Sequence, residues 1–171
     1  MQQANNLAAQ NPDKLKELQG LFEDGRFGGH ALLLMDGKPE FAYALSNQKE
    51  LKYCVVSKEK LAAGKHTLKV DMKYEGPGYG KSATATLFVD GEQVAQGKIE
   101  HTIPVRFSLD ETFDVGMDTG TPVVENYVTK MPFKFTGTLD KVIIELGKSG
   151  LTASDELKLE ELNKEAVVAT E

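Results

Sequence analysis

The chain contains a single cysteine, Cys54, and no tryptophan among its 171 residues. One cysteine excludes an internal disulfide and a metal site built from several cysteines. No apolar run reaches the about 18 residues of a membrane-spanning helix, and the N-terminus lacks the charged-then-apolar layout of a signal peptide. The acidic excess behind the net charge of -6 lies mostly in residues 151–171. Because the rest is nearly neutral, we expect neither a nucleic-acid nor a membrane partner.

Short amphipathic helices are predicted at both ends of the chain. In residues 1–28, Asn11 can cap a linker helix that begins at Pro12. In the acidic tail, residues 149–171, Thr152 and Asp155 have the spacing of a capping box. Apolar residues at helical spacing predict one stripe on each helix: Leu15, Leu18 and Phe22, then Leu159, Leu162 and Ala166. We interpret the acidic face of the tail as solvated, with a partner surface as the alternative.

Residues 29–148 show the apolar period of two that is typical of strands. Asp36-Gly37 and Asp90-Gly91 each separate two apolar runs, which is a strong hairpin signal. Further strands are predicted in "LKYCVVS", "HTLKVDMKYE", "PVRFSL" and "FKFTGTLDKVIIEL", the last because of alternating Phe133, Phe135, Val142, Ile144 and Leu146. About nine or ten strands predict a mainly β fold, an antiparallel β-sandwich of jelly-roll, concanavalin/lectin-like type.

Residues that could carry chemistry are few and scattered. His30, His66 and His101 lack metal-ligand spacing, so we interpret them as strand-edge histidines rather than zinc ligands. Apolar neighbours predict that Cys54 is a buried, inert thiol rather than a nucleophile. The stretch "EGPGYGKSAT" has the wrong glycine spacing for a phosphate loop and precedes a strand, which favours a long hairpin loop.

The loop "DETFDVGMDTGTPV", residues 110–123, carries four acidic side chains and two glycines. Its Asp-Thr-Gly is the nucleophile tripeptide of aspartic proteases, but that chemistry needs two such carboxylates. Asp110, Asp114 and Asp118 are calcium candidates, although EF-hand spacing is absent. The favoured interpretation is a structural loop, with Asp118 capping Gly120 or Thr121 and with both glycines in conformations that a Cβ resists. Its residues would be Asp114, Gly116, Asp118, Gly120, Thr121 and Pro122.

A family resemblance covers roughly residues 8–147. The stretch from "LAAGKH" to "VVENY" resembles the C-terminal β-sandwich segment of large bacterial arylsulfatases, which carries similar "AGKH", "LFVDG", "DVGMD" and "GTPV" elements in the same order. "NPDKLKELQGLF" is similar to the helix that links the sulfatase catalytic domain to that segment. The resemblance implies a truncated chain, a non-catalytic accessory domain that packs against the catalytic domain and frames its cleft.

The same resemblance implies which chemistry is missing. Family members hydrolyse sulfate esters with a formylglycine made within a Cys/Ser-x-Pro/Ala-x-Arg motif, and with calcium bound by the catalytic domain. Val-Val-Ser-Lys follows Cys54 and departs from that motif, so no catalytic, cofactor-binding or metal residue carries over, and this chain is not expected to be an enzyme.

The expected partner is a sulfatase catalytic domain, in cis or as a separate chain, with a homodimer through the N-terminal helix also expected. The parent protein would be periplasmic or secreted. The alternative is an autonomous carbohydrate-binding, lectin-like module, which needs exposed aromatics that a chain without tryptophan has few of.

Overall fold

A computed structural model describes residues 28–46, 48–104, 113–147, 151–158 and 160. The predicted N-terminal linker helix lies outside the described residues, as do Asp110 and most of "PVRFSL". The apolar stripe Leu159, Leu162 and Ala166 of the tail also lies outside them.

The described residues form three antiparallel sheets. The first sheet contains β1 (Gly29–Met35), β2 (Lys38–Ala44) and β3 (Lys52–Val56), in that order. The second contains β4 (Leu68–Tyr74), β5 (Ala83–Val89) and β6 (Glu92–Ile99). A small third sheet pairs β7 (Met117–Asp118) with β8 (Phe133–Lys134). Two 3₁₀ helices span Lys49–Leu51 and Glu125–Lys130. The mainly β prediction is confirmed.

Tight turns close the hairpins where the sequence predicts them. Asp36 and Gly37 join β1 to β2 with φ values of 50° and 84°, and Asp90 and Gly91 join β5 to β6 with 51° and 88°. Positive φ at both central residues is the signature of a type I′ turn, whose twist matches that of the paired strands. The glycine-rich stretch before Ser82 joins β4 to β5, and Tyr74 pairs with Ala83 across it, so the long hairpin loop is confirmed.

The main core lies between the first two sheets. Phe41, Tyr43 and Val55 of the first sheet form one buried cluster with four residues of the second: Ala83, Ala85, Leu87 and Ile99. Strand β3 lies against β5 and β6. Small residues bring the backbones close, since a Cβ added to Gly97 of β6 would stand 2.7 Å from Val55 Cγ2.

A second cluster covers the opposite face of the first sheet. Leu33 and Ala42 pack against Val124 and Tyr127, with Phe133 at the edge. Every residue of β2 from Pro39 to Ala44 is consequently buried, because the strand is central in its sheet and both of its faces are covered.

The segment after β8 departs from its prediction. Only Phe133–Lys134 is a strand there, and residues 135–147 have no regular structure and are exposed. The predicted strand through Val142, Ile144 and Leu146 is therefore wrong. Alternating apolar residues form a strand only beside a partner strand, and no described strand lies next to these.

The capping box of the C-terminal tail is present. The Thr152 backbone N–H and hydroxyl donate to Asp155 Oδ2 at 3.0 and 2.7 Å, and the Asp155 N–H donates to Thr152 Oγ1 at 3.2 Å. Helix follows at residues 153–158. Among the described residues, no helix combines the length and apolar character needed to cross a bilayer.

Replacing Gly97 by alanine tests the close approach of the sheets. The new methyl group would collide with Val55, whose β-branched side chain is buried and stiff. Overpacking costs roughly 1–3 kcal/mol, more than the roughly 0.5–1 kcal/mol gained by removing a strand glycine. We expect Gly97→Ala to lower the free energy of unfolding by about 1–2 kcal/mol in urea denaturation. In a Val55→Ala background the same change should cost clearly less, and equal costs in both backgrounds would contradict this packing.

Candidate functional site

The acidic loop singled out in the sequence leads into the small third sheet, and we call residues 113–121 the 113–121 loop. Within it, Gly116 adopts a φ of 81°, in the region that favours glycine. Its carbonyl oxygen accepts a 2.8 Å hydrogen bond from the Phe135 N–H, which extends the pairing of β7 with β8. Thr121 and Pro122 then lead to the buried end of the second cluster at Val124.

Two carboxylates hold this loop in shape. Asp114 Oδ2 accepts hydrogen bonds from the Thr119 N–H at 3.0 Å and the Thr119 hydroxyl at 3.1 Å. Asp118 Oδ1 accepts the Gly120 N–H at 3.1 Å, which is the predicted Asx turn. Gly120 contributes its backbone N–H to this turn.

Tyr127 ties the loop to the protein interior. Its side chain is fully buried, and its hydroxyl accepts the Val123 N–H at 2.8 Å while donating to Asp118 Oδ2 at 2.8 Å. Burial, and then the hydrogen bond to Asp118, raise the pKa of Tyr127. Sequence analysis missed this residue, because a lone tyrosine between Asn126 and Val128 breaks no pattern and its hydrogen-bond partners are settled only by folding.

The structure describes two of the three calcium candidates, Asp114 and Asp118. Asp114 and Asp118 both accept hydrogen bonds from groups of the chain itself, and Asp110 lies outside the described residues. Within the described ranges, no three His, Cys, Asp or Glu side chains are grouped in a way that could hold a metal ion.

Glu40 is a buried carboxylate that the sequence did not reveal. Only 3% of this residue is exposed, and both of its carboxylate oxygens accept from Asn126 Nδ2, at 2.9 and 3.2 Å. A neighbouring ion pair joins Lys52 Nζ to Glu125 Oε1. Both contacts fasten the 3₁₀ helix Glu125–Lys130 to the first sheet, so a buried charge is satisfied by the element that covers it.

Cys54 lies in β3, opposite Ala42. The predicted burial is wrong: Cys54 is exposed, because the alternation of β3 turns it away from the core that receives Val55. Although the residue is exposed, its sulfur is partly shielded from water, and this shielding, followed by the hydrogen bond to the buried Glu40, raises the pKa of Cys54 to about 12. A raised pKa keeps the thiol protonated at neutral pH, and a protonated thiol is a weak nucleophile.

A histidine and a carboxylate fasten the β5–β6 turn to the chain before β4. His66 Nδ1 lies 2.6 Å from Asp90 Oδ2, and His66 Nε2 lies 3.1 Å from the Ala62 carbonyl oxygen. The Thr67 N–H donates to Asp90 Oδ1 at 2.8 Å. Both ring nitrogens face acceptors, which only the doubly protonated imidazolium can satisfy. The hydrogen bond to Asp90 accordingly raises the pKa of His66.

The 113–121 loop exposes several apolar side chains. Phe113, Val115 and Met117 are exposed by 65%, 54% and 41%. Asp118 turns inward to Tyr127, whereas Asp114 stays exposed and bonds to Thr119 within the loop. Val128, on the covering 3₁₀ helix, is half exposed as well. Exposed apolar side chains that lie this close together are a feature of interaction surfaces.

Removing the Tyr127 hydroxyl should loosen this loop. Tyr127→Phe leaves the Val123 N–H and Asp118 Oδ2 without their buried partner, and such losses cost about 1–3 kcal/mol. We expect the free energy of unfolding to fall by that amount, and amide exchange of residues 114–121 to quicken. Tyr53→Phe is the matched control, since the Tyr53 hydroxyl has no hydrogen bond within the described part of the chain. Equal effects of the two changes would refute the assignment.

The His66–Asp90 pair should make stability depend on pH. Because the folded pKa of His66 is raised above its ordinary 6.5, its contribution is complete below that pH and is lost as the pH rises through the folded value. The Tm difference between the wild type and His66→Ala should therefore shrink from about pH 5.5 to about pH 9. His101→Ala serves as the control at an exposed histidine. A His66 titration midpoint at or below 6.5 by NMR would contradict the raised pKa.

Comparisons with known proteins leave the interpretation to the chain's own residues. No protein-family model matches the chain, and no curated protein or solved structure matches it at a significant level.

Proposed function

We propose that the chain is a non-catalytic accessory domain of an arylsulfatase-like sulfate ester hydrolase, which packs against the catalytic domain and frames its cleft. The observation that carries this proposal is the polarity of the 113–121 loop, with Phe113, Val115 and Met117 in solvent and Asp114 and Asp118 bound to the chain. The motifs "DVGMD" and "GTPV", on which the arylsulfatase resemblance partly rests, belong to this loop and its exit.

The loop is held firmly enough to act as a docking element. Three hydrogen bonds to Asp114 and Asp118 fix its backbone and the Thr119 hydroxyl, and the fully buried Tyr127 anchors it beneath. A loop with an ordered backbone loses little conformational entropy on binding. A larger part of the free energy from burying its apolar side chains therefore contributes to affinity. A catalytic domain that covers them would remove the cost of their exposure to water.

We also propose that the two three-stranded sheets form a β-sandwich, because both contribute to one buried cluster. The jelly-roll type rests on the arylsulfatase resemblance, since each described sheet by itself follows chain order as a meander. Within such a sandwich, the 113–121 loop follows the second sheet and precedes the cover of the first, where it can project from the domain.

A carbohydrate-binding module is the second candidate, and one observation favours it. Phe113 and Phe135 are exposed aromatics on the same small sheet region, because the Phe135 N–H bonds to Gly116 within the loop. Exposed aromatic rings stack on sugar rings. The Phe135 ring also lies against the backbone of Gly137. A Cβ added at Gly137 would stand only 2.6 Å from a ring atom.

Association with a catalytic domain tests the accessory role. The probe is a bacterial arylsulfatase catalytic domain truncated before its own C-terminal β segment, mixed with this chain and followed by sedimentation and by hydrolysis of 4-nitrophenyl sulfate. We expect a complex, no turnover by this chain alone, and binding at least roughly tenfold weaker for Phe113→Ser with Val115→Ser. Met72→Ser is the control, because Met72 is also an exposed apolar residue, at 43%, but lies on β4 outside the loop.

Two outcomes would overturn the accessory role: turnover by the repurified chain alone, or a folded chain that does not associate at about 100 µM, a concentration far above a micromolar Kd. The substitutions Phe113→Leu and Phe135→Leu separate the two candidates. Leucine keeps the apolar contact that a protein surface needs but removes the ring that a sugar needs. Loss of glycan binding on these changes, with no protein complex, would favour the carbohydrate-binding module.

A further inference from the structure

Five large apolar side chains are exposed within residues 139–146, which we call the 139–146 segment. Their exposed fractions run from 48% for Leu139 to 92% for Leu146, with Val142, Ile143 and Ile144 between these values. Isolated apolar residues are common on protein surfaces, but a run of this density marks an interaction site. It is a different part of the chain from the 113–121 loop.

The backbone of this segment has the unpaired groups that strand addition requires. Within the described part of the chain, residues 139–146 belong to no strand and make no backbone hydrogen bond, and Asp140 is held by an ion pair with Lys65 at 2.5 Å. Unpaired N–H and C=O groups on an apolar stretch are a template for pairing with a second strand. The alternation that predicted a strand here is thus present without a partner strand among the described residues.

The charges of the segment favour a second copy of the same segment as its partner. When the sequence is laid antiparallel on itself with Ile143 at the two-fold axis, Lys141 of each copy faces Glu145 of the other, and Val142 faces Ile144. Opposite charges directly across strands stabilise the pairing, and like charges destabilise it. A shift of one residue in either direction separates both favourable pairs, and in one direction it also places Asp140 opposite Glu145, so the charges favour the register centred on Ile143 over its neighbours.

We propose that the 139–146 segment mediates homodimerisation by antiparallel strand addition between two copies of this chain, centred on Ile143. The interface is isologous, with two Lys141–Glu145 ion pairs related by the two-fold axis and with Val142, Ile144 and their copies covering each other. Pairing satisfies the exposed backbone groups and removes apolar surface from water in the same step.

Charge reversal tests the partner and the register together. Multi-angle light scattering over a concentration series should show a monomer–dimer equilibrium for the wild type. Lys141→Glu and Glu145→Lys should each weaken dimerisation roughly tenfold or more, because like charges then face each other twice. A mixture of these two variants should recover it as a heterodimer, since every cross-strand pair is opposite in charge again. Lys141 and Glu145 are exposed and belong to neither core cluster, so both variants should keep the fold.

Lys98→Glu is the control, because it reverses an exposed charge on β6 outside the segment and should leave dimerisation unchanged. A wild type that stays monomeric at about 100 µM would overturn the proposal. A dimer that ignores both reversals would overturn it as well and would place the contact elsewhere, for example on the N-terminal helix predicted from the sequence. Failure of dimerisation leaves the association with a catalytic domain unaffected, so the two proposals are judged separately.

Discussion

Burial of β2 on both faces is the constraint on which the rest of the fold depends. A strand of alternating apolar residues needs one cover, but Pro39–Ala44 is buried throughout and needs two. The second sheet covers Phe41 and Tyr43, and the segment around Tyr127 covers Ala42. Each cover buries the side chains of β2 that the other leaves exposed, whereas β1 and β3 keep exposed residues such as Leu32 and Val56. The two contacts that we propose, at the 113–121 loop and the 139–146 segment, lie outside this strand.

Polar groups inside this arrangement are satisfied in pairs that cross between elements. Glu40 on β2 accepts from Asn126 on the covering 3₁₀ helix, and Tyr127 reaches from that helix to Asp118 of the loop. Within the described residues, no buried side-chain nitrogen or oxygen is left without a hydrogen-bond partner. In the 113–121 loop the Tyr127 hydroxyl draws the Asp118 carboxylate inward, while Phe113, Val115 and Met117 remain exposed.

Features that depend on residues close together in the sequence were predicted correctly, and features that depend on distant residues were not. The hairpins at Asp36-Gly37 and Asp90-Gly91, the Asx turn at Asp118 and the Thr152 capping box were predictable, because each depends on residues within a few positions. Failures occurred where a distant partner decides the outcome. Cys54 is exposed, Tyr127 was missed as an anchor, and the alternation through Val142 and Ile144 forms no strand.

The sequence by itself determined a mainly β chain, its tight turns, and an acidic loop whose carboxylates bind nearby backbone groups. These features follow from backbone preferences and from contacts that close short loops, which any sufficiently compact state of the chain allows. Only the tertiary structure decided which face of each strand is covered, that Glu40 is buried and paired, and that the 139–146 segment joins no strand of the described residues. These three features depend on contacts between residues far apart in the sequence. An alternating pattern shows that a strand has an apolar and a polar face, but it does not show which element covers either face.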